Sequence, residues 1–286
     1  MIIRRNTEGT HQFSDIIDTS LGIFDMQGLL LNSQGSFTAA IEAFELPKHE
    51  TFTNLRQETF GNEEALYVRA CFAAQVGVPF YVILHIEGTK RIKLFQVYAD
   101  INTHHCECQK QFWLSEPDFI EWWHERKQTP QTKPYREQFL GRVSKSYFDS
   151  LLEANGLKWG GNIDGYFVSS PDSNYQIEGI IEKRFTTKKT IYDYDPAFYF
   201  KYGGGDYNTW KPLFTLKSQL DVPLYLFTYS RYTGEQHKVG ATIVTELSQK
   251  GINYILDENR NEVTPNSKIC NDEAELRQRL QYLQSL

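Results

Sequence analysis

A short apolar run, Gly28-Leu29-Leu30-Leu31, is followed by a polar turn and a second run, Phe37-Thr38-Ala39-Ala40-Ile41-Glu42. Runs of this length bounded by turn residues predict the two buried strands of a hairpin. The same order of events returns about 140 residues later, with Gly165-Tyr166-Phe167-Val168 and then Tyr175-Gln176-Ile177-Glu178-Gly179-Ile180-Ile181-Glu182. Each hairpin is preceded by a related amphipathic stretch, Phe13-Ser14-Asp15-Ile16-Ile17-Asp18 or Phe148-Asp149-Ser150-Leu151-Leu152-Glu153. Each is followed by a helix end, a tight turn and a buried strand opening at proline. These are Ala74-Gln75-Val76-Gly77-Val78-Pro79-Phe80-Tyr81-Val82 and Ser218-Gln219-Leu220-Asp221-Val222-Pro223-Leu224-Tyr225-Leu226. The spacing exceeds that of any solenoid repeat and predicts two copies of one α/β unit: helix, hairpin, helix, strand.

Between the copies lies Lys127-Gln128-Thr129-Pro130-Gln131-Thr132-Lys133-Pro134, polar and proline-bearing, which reads as a linker. The expected lobes are therefore 1–130 and 131–286. Just before the linker, Ser115 through His124 predicts a helix, with Ser115 as N-cap, Pro117 in the first turn and acids at the positive end of the dipole.

Composition adds bounds. Hydrophobic residues are 40% of the chain, charged residues 23% and aromatic residues 14%, the profile of a globular protein with strand content. The longest apolar run, Val76 to Leu84, falls short of the roughly 20 residues a membrane-spanning helix needs, so no membrane is expected. The N-terminus lacks a signal-peptide pattern and cysteines number four without a CxxC pair, which together point to the cytoplasm. His104-His105-Cys106-Glu107-Cys108 has no second ligand pair at zinc-site spacing and reads as a strand end.

The net charge of −6 argues against non-specific coating of nucleic acid. It is unevenly spread. Residues 1–130 carry 11 Lys and Arg against 17 Asp and Glu, whereas 131–220 carry 12 against 10. The basic third is the one that holds the second hairpin.

That hairpin carries the candidate chemistry. Side chains alternate along a strand, so Glu178, Ile180, Glu182 and Arg184 are expected on one face, beside a neighbouring strand that begins with Asp164. Two carboxylates and a cation would converge there. Mg²⁺ is bound through one or two carboxylates together with substrate phosphate oxygens, and a nearby cation stabilises charge developing on phosphorus. The first hairpin differs: Gln27 precedes Gly28, and Glu42-Ala43-Phe44-Glu45 offers no basic partner before Lys48.

At Asp164 and Glu182-Lys183-Arg184 the chain resembles the PD-(D/E)xK nucleases of the restriction-endonuclease-like fold. The resemblance implies two lobes, each a mixed central sheet flanked by helices, with the N-terminal copy degenerate. It implies Asp164 and Glu182 as ligands of Mg²⁺ or Mn²⁺, Arg184 in place of the usual lysine, Glu178 as an auxiliary acid, and Lys188 as a substitute cation. Asp193 or Asp195 would lie beside Lys188, Leu213–Leu220 would be the helix behind, and Val222–Tyr229 the closing strand. The implied function is metal-dependent hydrolysis of nucleic acid, with DNA the favoured polymer. The first lobe would help bind DNA or form a homodimer. Arginine departs from the pattern, because it does not deprotonate in proteins and makes a poor general base. The alternative is a catalytically inactive nuclease-like module that mediates protein or nucleic-acid contacts.

Overall fold

The computed structural model describes residues 3–4, 21–46, 48, 63–127, 146–157, 159, 161–169, 174–198, 200, 205–231, 234–235 and 237–286. The amphipathic stretch Phe13–Asp18, the linker beyond Lys127, and Gly203 and Gly204 lie outside them. The chain is a mixed α/β protein that divides into two compact units. Described residues from Met26 to Asn162, with Ile3 and Arg4, form the first; residues 21–25 and Ile163–Leu286 form the second.

In the first unit the strands are β1 (Ile3–Arg4), β2 (Ile23–Leu31, of which Ile23–Asp25 group with the second unit), β3 (Phe37–Leu46), β4 (Phe80–Ile86), β5 (Arg91–Asp100) and β6 (His105–Ser115). The helices are α1 (Glu63–Val76), α2 (Glu116–Arg126) and α3 (Tyr147–Ala154). β2 and β3 form the expected antiparallel hairpin, with Gly28 opposite Ile41. β3 runs parallel to β4, which requires a crossover, and α1 supplies it. β5 and β6 follow as antiparallel neighbours.

Alternation along β3 decides what each helix meets. Ile41 and Ala43 enter a core with Phe119, Trp122 and Trp123 of α2 and Phe148 and Leu152 of α3. Ring pairs knit it together: Phe119 stacks on Trp122 with centroids 5.9 Å apart, and Trp159 lies 4.9 Å from Trp123. Buried large apolar side chains stabilise a fold by about 1.5–3 kcal/mol each. Glu42, between Ile41 and Ala43, points the other way and meets Arg69 of α1. The α2 start behaves as its residues predict: the Ser115 hydroxyl accepts from the Asp118 N–H, and the Asp118 carboxylate accepts from the Ser115 N–H.

The second unit repeats the pattern with β7 (Gly161–Val168), β8 (Ile177–Thr186), α4 (Gly205–Leu220), β9 (Leu224–Ser230), β10 (Val239–Ser248), β11 (Gly251–Tyr254), β12 (Ile269–Cys270) and α5 (Glu273–Ser285). Successive pairings are again antiparallel, parallel, antiparallel and antiparallel. Ile181, Tyr225, Phe227 and Val239 pack with Leu276, Leu280 and Leu283 of α5. On the opposite face, Arg184 of β8 meets Trp210 of α4.

Three details bear on the expectation. The helix foreseen at Leu213–Leu220 begins at Gly205, because Trp210, Leu213 and Leu216 extend one buried stripe upstream. Part of the glycine run is thus the first turn of α4. The stretch Lys188–Pro196, for which a strand or a loop was open, is a loop with a 3₁₀ turn at Ile191–Asp193. The helix Tyr147–Ala154, read as the start of the second copy, buries Phe148 and Leu152 in the first unit's aromatic core.

Close packing across the second hairpin sets one stability test. A Cβ at Gly179 would stand 2.6 Å from Cε2 of Tyr225, whose ring is fully buried. Gly179→Ala is expected to cost about 1–3 kcal/mol, seen as a lower urea midpoint with unchanged slope.

Candidate active site on the second hairpin

The antiparallel register of β7 and β8 builds the site. Gly165 faces Ile181, so the preceding residue on one strand and the following residue on the other, Asp164 and Glu182, are cross-strand neighbours. Such neighbours share a face, with Cβ atoms about 4.5–5.5 Å apart. The Lys183 backbone N–H donates to Oδ2 of Asp164 at 2.8 Å, which fixes that carboxylate against the strand. Glu182 is buried, with 6% of its surface exposed, while Asp164 is half-buried.

Arg184, two residues along the same face, brings Nε to 2.7 Å from Oε1 of Glu182. The two are in ion contact, and Nη2 is buried with no hydrogen-bond partner among the described residues. The guanidinium carbon lies 5.4 Å from the centre of the Trp210 ring, which holds it from the helix side.

Burial and mutual repulsion set the protonation of the pair. Burial, reinforced by the neighbouring Asp164 charge, pushes the Glu182 carboxyl up to about 8, against the opposing pull of Arg184. Burial also raises Asp164, opposed by the Lys183 N–H and by the Lys183 and Arg184 charges. A third acid, Asp25 at the start of β2, adds to that rise. The carboxyls therefore do not both ionise readily near neutral pH.

The other candidates sit elsewhere. Glu178, expected on the same face, is exposed and lines a depression with Lys217, Asp221, Tyr225 and Leu283. The reason is a bulge: Phe167 pairs with Gly179 but Val168 with Ile177, so Glu178 drops out of the ladder and simple alternation fails there. Lys188 is exposed in the turn after β8, its N–H donating to Oγ1 of Thr186 at 3.3 Å. Asp193 accepts from the Thr190 hydroxyl at 2.6 Å, and Asp195 from the Tyr254 hydroxyl at 2.5 Å. Both are engaged in local structure.

The first unit holds the same register with different chemistry. Gly28 opposite Ile41 brings Gln27 to Glu42. The Ala43 N–H donates to Oε1 of Gln27 at 2.9 Å, as the Lys183 N–H does to Asp164. Glu42 is 2% exposed and accepts from the Gln27 N–H at 3.0 Å and from Nε of Arg69 at 3.2 Å. The basic partner missing from the strand is thus supplied by α1, a correction that spacing along β3 could not reveal. Asp25 was missed as well; its one signal is an acid inside the run Ile23-Phe24-Asp25-Met26.

No group of three or more His, Cys, Asp or Glu side chains among the described residues is arranged to hold a metal ion. His105, from the cluster before β6, instead contacts Oε1 of Glu63 at 2.5 Å. The chain matches no family model, curated protein or solved structure in the comparisons made.

Two outcomes follow. Because folding raises the Glu182 pKa, the native state holds a proton that the unfolded chain releases above about pH 4.5. That stabilisation is present at acid pH and is lost as pH rises towards and through 8. In chelator, the melting temperature should fall between pH 5 and 9, by the equivalent of a few kcal/mol, and Glu182→Gln should flatten the profile. In the first unit, Arg69→Met leaves Glu42 buried and uncompensated, with an expected loss of about 3–5 kcal/mol in urea unfolding. Adding Glu42→Gln should recover most of it.

Proposed function

We propose that the second unit hydrolyses phosphodiester bonds of nucleic acid with the help of a divalent cation, Mg²⁺ or Mn²⁺. The observation that carries this reading is the cross-strand pair Asp164 and Glu182, backed by Asp25 and flanked by Arg184. A buried and a half-buried acid that resist joint ionisation form a donor set suited to a hard cation, which takes one or two carboxylates and leaves its remaining positions to water and phosphate oxygens. Asp164 and Glu182 would hold it. When bound, such an ion polarises a phosphoryl oxygen and acidifies a coordinated water.

The chain's own residues do the rest. The Lys183 N–H orients Asp164, so one acid is pre-set without help from solvent. Glu182 gives up its proton to solvent when it becomes a ligand, so cation affinity rises with pH. Arg184 cannot serve as base, but its buried Nη2 donates to no group among the described residues and is suited to donate to a phosphate oxygen. The hairpin, helix and parallel strand around the pair support the restriction-endonuclease-like resemblance in part, since the αβββαβ core it implies has a third strand where this chain has a 3₁₀ turn. Among the described residues no helix is long and apolar enough to cross a membrane. The same reading places the enzyme in the cytoplasm.

One observation favours a second reading, a catalytically silent binding module. Arg184 contacts Glu182 much as Arg69 contacts Glu42 in the unit that lacks the second acid. Calorimetry with Mn²⁺ and gel assays on plasmid and single-stranded circular DNA separate the two. The nuclease reading expects carboxylate-dependent binding and cleavage, with Asp164→Asn or Glu182→Gln lowering cleavage at least a hundredfold (roughly 3 kcal/mol of transition-state stabilisation). Cleavage that survives both substitutions, or no Mn²⁺ binding by the wild type, overturns it.

A further inference from the structure

We propose that the edge of the second unit where β8 and β9 end and β10 begins is a track for single-stranded nucleic acid, leading to the Asp164–Glu182 pair. This deepens the phosphodiesterase reading and rests on it for the direction of the track. At that edge three neighbouring strands each present a cation against an aromatic ring. Arg184 on β8 lies over Trp210, Arg231 just past β9 lies 4.6 Å from the centre of Phe185, and Lys238 just before β10 lies 4.9 Å from Tyr192.

The ladder places the Phe185–Arg231 and Tyr192–Lys238 pairs side by side, with Arg184 one residue before Phe185 on the other face of β8. Phe185 pairs with Tyr229, and Tyr229 with Val239, the residue after Lys238. The Arg231 N–H donates to the Thr186 carbonyl at 2.9 Å, and the Ser230 hydroxyl to the Lys189 carbonyl at 2.7 Å. With strands about 4.8 Å apart, the backbones at Phe185, Tyr229 and Val239 lie within about 10 Å of one another along the edge.

Two of the rings are open to solvent, Phe185 at 42% and Tyr192 at 53% exposed. An exposed ring beside a cation is the combination that takes up a single strand, the base stacking on the ring and the cation turning to the phosphate. A duplex keeps its base faces stacked inside and gains nothing from those rings. Lys188 and Lys189, exposed in the turn after β8, add charge to the same edge. The acids facing it are engaged: Glu235 accepts from the Ile191 N–H at 2.7 Å and stands 3.9 Å from Nζ of Lys238, and Asp193 is held by Thr190. Lys188, expected beside the acids as a substitute cation, serves phosphate contact at this edge instead.

Fluorescence anisotropy in chelator tests the track without catalysis, using labelled oligo(dT), oligo(rU) and a mixed-sequence duplex. Wild type should bind a single strand more tightly than the duplex, and the tighter of the two single strands identifies DNA or RNA. Phe185→Ala and Tyr192→Ala should each weaken single-strand binding about tenfold or more. Arg231→Ala and Lys238→Ala should each reduce the slope of log affinity against log salt by about 0.7. Phe185, Tyr192 and Arg231 are exposed and Lys238 is partly buried beside Glu235, and unchanged melting temperatures confirm that the variants fold. Should Phe185→Ala/Tyr192→Ala not fold, Arg231→Glu, at an exposed site, must abolish single-strand binding in its place. Tighter duplex binding, or single-strand affinity unchanged in the folded ring variants, overturns the track. Ring-dependent binding in a protein that cleaves nothing leaves the track standing and removes the nuclease reading.

Discussion

A carboxyl group taken out of water must keep a proton, find a cation or bind a metal, and each unit of this protein is arranged around one such group. Glu42 and Glu182 occupy the same register in their hairpins, one residue past the isoleucine that faces the glycine of the partner strand. Both are almost fully buried. The cost of burying an unpaired carboxylate runs to several kcal/mol, so the neighbouring residues are constrained by it more tightly than by packing alone.

The units meet that constraint differently. In the first, a glutamine replaces the second acid and Arg69 reaches in from α1, so charge is balanced internally and a cation would find no anionic pair. In the second, Asp164 stands opposite Glu182, and the compensating arginine comes from β8 itself, half-exposed at the edge of the site. Burial, together with two acids that share one arginine, is why the Glu182 proton is retained so far above the usual carboxylate range. The unit that carries a balanced pair has a structural centre; the unit that carries an excess of acid has one that can take up a cation. The Arg231 and Lys238 pairs at the edge beyond Arg184 belong to the second unit, beside that same excess.

Much of this was legible in the chain. The duplicated order of hairpin, helix and strand follows from short apolar runs and turn residues, and the α2 start from Ser115, Pro117 and Asp118. The meeting of Asp164 with Glu182 was readable because both lie one step from the Gly165–Ile181 pair, and hairpin strands repeat every two residues. Period-two reasoning broke down at Glu178, where a bulge removes one residue from the ladder. It was silent on Arg69 and Asp25, which reach their acids from other elements.

The amino-acid sequence by itself determined the local units and the alternation of faces within each strand, because these depend on neighbours a few residues apart. It determined in the same way that an acid would stand on each second strand. Only the tertiary structure decided which cation answers each acid, which carboxyls crowd together and which rings stay in solvent. Those outcomes depend on the register between strands and on the helix laid over them, and so on contacts between residues that no short stretch of sequence contains.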